Sequence, residues 1–166
     1  MPIKGKPVPM GLHTITPNLA CRDAARAIDF YKRAFGAEER GRMLSPDGRR
    51  VVHAELRIGS STFHLADESG APDGSPRPPR VLGGVSVTLQ IYAANVDELW
   101  QRTLDADAKV VVPLQDMFWG DRYGVIEDPE GYRWALAEHQ FDLTPEEISA
   151  AQAEWAARAA VLQARK

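Results

Sequence analysis

The sequence predicts an α+β protein made of two successive modules, each with the element order βαβββ, followed by a C-terminal helix. Its 166 residues are enough for one compact domain or for two small halves that share a core. Short apolar runs between glycine, proline and aspartate turns indicate strands, whereas two segments before the tail show helical spacing. The same order of elements occurs on both sides of an irregular stretch, residues 67–84. The prediction therefore depends on repeated architecture more than on repeated residues.

The composition excludes several classes of protein. Hydrophobic residues make up 44% and charged residues 26%, as in ordinary globular domains. The net charge is −3 and the basic residues form no long stripe, so we expect no nucleic-acid partner. No stretch approaches the roughly 18 apolar residues of a membrane-spanning helix, so we expect no membrane association. The one cysteine, Cys21, cannot form an intramolecular disulfide, and Met1–Met10 lacks a signal-peptide core, so we expect a cytoplasmic protein.

The first module is predicted over residues 12–66, after an N-terminal extension over residues 1–11. Its first strand is predicted at Leu12–Cys21 and its helix at Asp23–Phe35, where apolar residues recur at helical spacing. Asp23 is a suitable N-cap residue. The remaining strands are predicted over residues 37–44, 51–58 and 62–66.

Residues 67–84 form a predicted connector in which prolines and glycines alternate and no apolar period survives. The second module is then predicted over residues 85–139. An offset of about 71 positions aligns its last strand and its helix with those of the first module. Its elements are predicted as a strand over residues 85–93, a helix over 95–106, and strands over 108–113, 123–127 and 132–138.

The tail, residues 140–166, is predicted to be an amphipathic helix. Thr144 supplies an N-cap, Pro145 suits the first helical position, and Glu147 completes a capping box. One apolar stripe must then lie on the domain or on a second subunit, or serve as a partner-binding element. The stripe consists of Ile148, Ala151, Trp155, Ala159 and Leu162.

Strand alternation separates the two faces of each predicted sheet, because successive side chains point to opposite sides. One face should pack on the helices through apolar side chains, among them Val52, Ala54, Leu56, Ile58, Phe63, Leu65, Leu89, Ile91, Trp134 and Leu136. The other, which we call the open face, carries His53, Glu55, His64, Thr88, Gln90 and Tyr92. This face is more polar than a sandwich core requires, which suggests either a cup for a ligand or a plain solvated surface.

An aromatic segment, Met117–Tyr123, lies in a turn-rich part of the second module. Phe118 and Trp119 could stack on a flat ligand, and Arg122 could supply a charge or a hydrogen-bond donor. The same side chains could instead close the end of the sheet as core residues. The sequence leaves both interpretations open.

Three segments carry a resemblance to a known family: Asp23–Ala37 in the first module, and Gly120–Gly124 with Asp128–Trp134 in the second. On these motifs the chain resembles the vicinal oxygen chelate superfamily, which includes glyoxalase I, extradiol dioxygenases and bleomycin resistance proteins, and it looks closest to the PhnB-like branch. The resemblance implies two βαβββ modules that form a curved mixed sheet around a cavity. It also implies a homodimer in which the partner chain completes each cavity.

Metal-dependent members of this superfamily place one His or Glu on each of four strands. The corresponding positions here are Thr16, His64, Thr88 and Ala135, of which His64 alone is a usual ligand type. No cofactor is therefore expected from the family pattern. A divalent metal remains possible if His53 and Glu55 join His64, and the histidines with Glu55 could alternatively act as general acid and base without a metal.

Two main functions follow from the sequence. The first is binding of a small aromatic or heterocyclic molecule, with Thr16, His53, His64, Thr88, Gln90, Phe118, Trp119 and Arg122 as candidate contacts. The second is a metal-dependent lyase, isomerase or dioxygenase in which His64 and Glu55 would be catalytic. A third possibility is an interaction module that works through the tail helix. Cys21 is expected to be buried and unreactive.

Overall fold

In a computed structural model, the chain folds as two βαβββ modules with a C-terminal helix, which confirms the predicted α+β class. The structure describes residues 5–70 and 74–163, and only the backbone of residues 158–163. The first module contains β1 (Asn18–Cys21), α1 (Ala24–Phe35), β2 (Glu38–Leu44), β3 (Val51–Ile58) and β4 (Ser61–Asp67). After a short helix in the connector, α2 (Pro79–Leu82), the second module contains β5 (Thr88–Tyr92), α3 (Val96–Asp105), β6 (Lys109–Asp116), β7 (Asp121–Glu127) and β8 (Arg133–His139), and the tail is α4 (Pro145–Gln163).

Each module forms its own four-stranded mixed sheet. The strand orders are β1-β4-β3-β2 and β5-β8-β7-β6. In both sheets the first strand pairs in parallel with the last, and the other pairings are antiparallel. β1 and β5 therefore occupy equivalent edges of the two sheets, each with one side paired and the other side facing the neighbouring module.

The helices α1 and α3 pack against each other at the centre of the molecule, as the Arg102 guanidinium shows by donating to the carbonyl oxygen of Ala34 from Nε at 3.2 Å and from Nη2 at 3.0 Å. Their apolar faces and the helix-side faces of both sheets make one continuous core. Aromatic rings from both modules meet there: Tyr31 lies 5.4 Å from Trp134, and Phe63 lies 5.8 Å from Trp134. Burial of these rings is the main driving force that holds the modules together.

Asp128 accepts four hydrogen bonds, and the one from Tyr31 joins the two modules. Its Oδ2 accepts from the Tyr31 hydroxyl at 2.7 Å and from the Trp134 indole N–H at 2.9 Å. Its Oδ1 accepts from the backbone N–H groups of Glu130 and Tyr132, both at 2.9 Å. The side chain is 1% exposed, and this burial raises the pKa of the Asp128 carboxyl. The four donors around this carboxyl thus share Asp128 as their hydrogen-bond acceptor.

The same turn also covers the free edge of β1. The Tyr132 hydroxyl accepts from the N–H of Ala20 and donates to the C=O of Ala20, both at 3.0 Å. Next along the edge, the Arg22 N–H donates to Oε2 of Glu130 at 2.6 Å. Side chains of the second module therefore satisfy edge groups that would otherwise require another strand.

Equivalent carboxylates cap the two central helices, at positions 71 residues apart. The Ala24 N–H at the start of α1 donates to Asp67 at 2.7 Å, and the Val96 N–H at the start of α3 donates to Glu138 at 2.9 Å. Asp23 also accepts from the N–H of Arg26, as expected of the predicted N-cap. The internal repeat predicted from the sequence is thus visible in the local hydrogen bonding.

The predicted alternation along β3 is wrong at its start. Val51 is buried at 3% exposure, whereas Val52, which was expected to pack on the helix, is 44% exposed. A register shift explains this difference: Leu44 pairs with Val51 but Met43 pairs with His53, so Val52 is an extra residue. β1 and β5 are also shorter than predicted, beginning at residues 18 and 88.

The tail helix begins as predicted and is largely exposed. Thr144 accepts from the Glu147 N–H at 3.2 Å, and Glu147 accepts from the Thr144 N–H at 2.8 Å, which makes the predicted capping box. Ile148 is half-buried, whereas Trp155 is 46% exposed. The expected stripe members Ala159 and Leu162 lie outside the described side chains. None of the described helices is long and apolar enough to cross a membrane.

Candidate functional site

The open face of the first sheet brings two histidines and a carboxylate together. Glu55 lies directly opposite His64, and the rings of His53 and His64 have centroids 4.7 Å apart in an edge arrangement. The Nε2 atom of His64 lies 3.7 Å from Oε2 of Glu55 and is buried without a hydrogen-bond partner. The predicted cluster of two histidines and one carboxylate therefore forms on the open face of the first sheet.

The four family metal positions do not provide four ligands. Thr16 uses its hydroxyl to donate to the carbonyl of His13 at 3.3 Å, Thr88 is exposed, and Ala135 is fully buried. Among the described residues, no group of three or more His, Cys, Asp or Glu side chains is arranged to hold a metal ion. His64 is thus the one family position with a usual ligand side chain.

The aromatic segment forms a connected cluster at the end of the second sheet. Phe118 and Trp119 make an edge contact with centroids 5.0 Å apart. Trp119 also contacts Tyr123 at 5.6 Å, and Phe118 contacts Trp155 of α4 at 5.8 Å. These rings pack on one another, so the segment links the sheet to the tail helix.

Arg122 lies on the helix side of its sheet. It pairs across the strands with Glu138, whose carboxylate caps α3. Its guanidinium donates to Asp97 at 2.9 and 3.0 Å and to Asp116 at 2.8 Å, and these carboxylates raise the pKa of Arg122. The structure therefore does not bring Arg122 together with the open-face residues Gln90 and Tyr92.

A chain of polar groups that the sequence did not reveal runs along the end of the second sheet. The Tyr92 hydroxyl donates to the buried Asp121 at 3.0 Å, and Asp121 lies 2.7 Å from Nδ1 of His139. The other ring nitrogen of His139 lies 2.9 Å from Asp142. The two carboxylates raise the pKa of His139, and the bond to Asp121 raises the pKa of Tyr92. The β7–β8 register, in which Asp121 pairs with His139, places the central pair of this chain side by side.

A cavity of about 510 Å³ lies between the modules, next to the free edge of β5. Phe63 and Trp134 contribute aromatic surface, and Leu89 and Ile91 contribute aliphatic surface. The structure describes all eight predicted site residues, and Gln90 is the one among them that lines the cavity. The other lining residues are His13, Ile15, Pro17, Ile58, Gly59, Ser60, Ser61, Thr62 and Tyr92.

Several polar groups at this cavity already have partners. The Thr62 hydroxyl donates to the carbonyl of Gly11 at 3.0 Å, and the His13 ring nitrogen lies 3.2 Å from the carbonyl of Ser60. These contacts hold the N-terminal segment against the β3–β4 turn. An apolar cavity with a few fixed polar groups is typical of a small-molecule site.

The lone cysteine lies away from this cavity. Cys21 is completely buried, and burial raises the pKa of its thiol. The thiol therefore stays protonated and unreactive at neutral pH, which confirms the expected buried position.

The fold class of the chain is a pair of βαβββ modules with a cavity at their boundary. The family model of the Glyoxalase/Bleomycin resistance protein/Dioxygenase superfamily matches residues 11–136, so the chain belongs to this superfamily. The resemblance inferred from the sequence motifs is thereby confirmed.

Similar proteins are found among both sequences and solved structures. An uncharacterised protein of Mycobacterium bovis is 44% identical over 140 residues, which cover 82% of this chain and 90% of that protein. The crystal structure of TioX from a Micromonospora species superposes with a TM-score of 0.61 at 28% identity, covering 76% of this chain and 98% of TioX. A PhnB protein from Bacillus cereus has the same fold, with a TM-score of 0.59 at 19% identity, 76% of this chain and 99% of that chain being covered.

Proposed function

We propose that this protein binds a small aromatic or heterocyclic molecule in the cavity between its modules, without the full metal site of its superfamily. The observation that carries this proposal is the cavity of about 510 Å³ with Phe63 and Trp134 in its lining. Such a volume fits a compact ligand, and aromatic walls favour a flat one. Gln90 is the predicted contact that lies at this cavity.

The chemistry of the donor set argues against the rival metal-dependent function. A catalytic metal usually needs at least three protein ligands, and two of the four family positions are threonines and one is an alanine. His53, Glu55 and His64 converge on the open face, but the described residues contain no three-ligand group suited to a metal. We therefore assign ligand binding, and not metal-dependent lyase, isomerase or dioxygenase chemistry, as the proposed function.

We expect quinoline, used as a heterocyclic probe, to bind the full-length chain in isothermal titration calorimetry. Leu89→Trp should weaken this binding at least about tenfold, because the larger side chain occupies the cavity. Val111→Trp is the matched control, since Val111 is exposed and does not line the cavity. Equal binding by both variants would contradict the proposed site.

Elemental analysis tests the rival function. One metal per chain that is lost in His64→Ala would favour a metal-dependent enzyme instead.

We also propose that two chains form a homodimer through the open faces of their sheets. Exposed apolar side chains support this arrangement: Met43 is 62% and Tyr92 61% exposed, and both lie on open faces because Met43 pairs with His53 and Tyr92 follows Gln90 in alternation. The partner would then cover the predicted open-face residues. The remaining candidates on that face, Thr88 among them, would contact a ligand only in such a dimer.

The dimer is tested by light scattering at micromolar concentration. The wild-type chain should have the mass of two chains, and Met43→Lys should shift it toward one chain by placing a charge in the interface. Met10→Lys is the control, since Met10 is fully exposed outside both sheets. A stable wild-type monomer at this concentration would refute the proposal.

A further inference from the structure

The cavity lies where one of two equivalent strand edges is uncovered: residues of the second module cover the free edge of β1, whereas the free edge of β5 borders the cavity. In the first sheet Ala20 pairs with Ala66, and in the second sheet Tyr92 pairs with Ala137. Ala66 and Ala137 are 71 positions apart, the same spacing as the helix-capping carboxylates described above. Tyr92 is therefore the structural equivalent of Ala20.

Both edge residues turn their backbone groups toward the opposite module. In a strand with parallel pairing, the N–H and C=O of one residue point to the same side, and those of its neighbours point to the other. The Ala93 N–H donates to Ala137 of β8 at 2.8 Å, so the N–H and C=O of Tyr92 point away from β8. By the same rule the N–H and C=O of Ala20 point away from β4, where the Tyr132 hydroxyl satisfies both.

The residue equivalent to Tyr132 in the first module is Ser61. The turn that ends in Tyr132 is closed by a bond from the Asp128 N–H to the Tyr132 carbonyl, and the shorter β3–β4 turn is closed by pairing of Ile58 with Ser61. Ser61 and Tyr92 both line the cavity. Tyr132 thus covers the free edge of β1. Ser61, its equivalent, is too short to reach the backbone of Tyr92, which leaves the cavity at the free edge of β5.

We propose that this space takes a hydroxyaromatic ligand, whose hydroxyl group accepts from the N–H of Tyr92 and donates to the C=O of Tyr92. The ligand ring would lie against Phe63 and Trp134, in the place that a tyrosine side chain fills at the equivalent edge. This inference rests on the proposed function, because it names the ligand class of that same cavity. A ligand without a hydroxyl group leaves the two backbone groups unpaired, which costs affinity.

The test compares para-cresol, which has the shape and hydroxyl group of a tyrosine side chain, with para-xylene, which has nearly the same shape and no hydroxyl. We expect para-cresol to bind the full-length chain at least about tenfold more tightly in calorimetry. Ser61→Tyr should weaken para-cresol binding at least about tenfold, because the new side chain competes for the same groups. Ser149→Tyr, the matched control, should leave binding unchanged, because Ser149 is exposed on α4 and does not line the cavity.

A second measurement uses the wild-type chain, in case Ser61→Tyr does not fold. The amide resonance of Tyr92 should move on addition of para-cresol and stay in place with para-xylene. Equal affinities and a stationary Tyr92 amide would overturn the hydroxyaromatic inference, while quinoline binding that Leu89→Trp abolishes would leave the proposed function standing. Absence of binding by all three probes would overturn both.

Discussion

Asp128→Ala is expected to lower the free energy of unfolding by about 3–5 kcal/mol, the range for breaking a buried charged network. The variant leaves two side-chain donors, those of Tyr31 and Trp134, and two backbone N–H groups without an acceptor. Each unpaired buried donor costs free energy because it has lost its contact with water. Urea denaturation followed by far-ultraviolet circular dichroism measures the effect.

Asp29→Ala is the matched control, because Asp29 is exposed on α1. It should change the free energy of unfolding by less than about 0.5 kcal/mol, as is usual for surface substitutions. Asp128→Asn should fall between the two variants, since one carbonyl oxygen still accepts while the amide N–H group faces donors. A loss below about 1 kcal/mol for Asp128→Ala would show that the turn does not hold the modules together.

Gly120→Ala is expected to lower the free energy of unfolding by about 2–4 kcal/mol, because strain in the backbone adds to overpacking. Gly120 has a φ of +95°, a conformation that side chains rarely adopt. An added Cβ would collide with the carbonyl of Phe141 and lie 3.5 Å from Leu143. The Gly120 carbonyl also accepts from the N–H groups of Gln140 and Phe141, so the tail must move with it.

Gly48→Ala separates the two causes, since Gly48 has a φ of +72° but no heavy atom within 4 Å of an added Cβ. It should cost about 1 kcal/mol, the price of a left-handed conformation alone. Chemical denaturation of both variants gives the comparison. Equal losses would mean that the tail segment gives way and that its contact with Gly120 is loose.

Much of the fold could be predicted from the sequence because its signals are local. Helix α1 starts after the predicted cap Asp23, and α4 starts with the predicted capping box of Thr144 and Glu147. Such caps act within one helical turn, so no distant residue is needed to recognise them. The module order and the offset of about 71 positions came from the repeated pattern of elements, and the family motifs agreed with both.

Predictions of the sheet face on which a side chain lies were less accurate, because they depend on the register between strands. A single extra residue in the β2–β3 pairing turns Val52 out to solvent, and no local pattern announces this shift. Arg122 was predicted to be a ligand contact, but the strand turns it toward the carboxylates of Asp97 and Asp116. In these cases the sequence identified the side chains, but it could not show which residues they contact.

By itself the sequence determined the α+β class, the two modules, the N-terminal caps of α1 and α4, and the convergence of His53, Glu55 and His64 on one sheet face. The tertiary structure alone decided where the cavity lies, because that depends on which residue of one module reaches the sheet edge of the other. Tyr132 reaches Ala20, whereas Ser61, its equivalent, is too short to fill the space beside Tyr92. Periodicity and capping are short-range properties that a sequence displays, but contacts between residues more than 100 positions apart appear only when the modules pack.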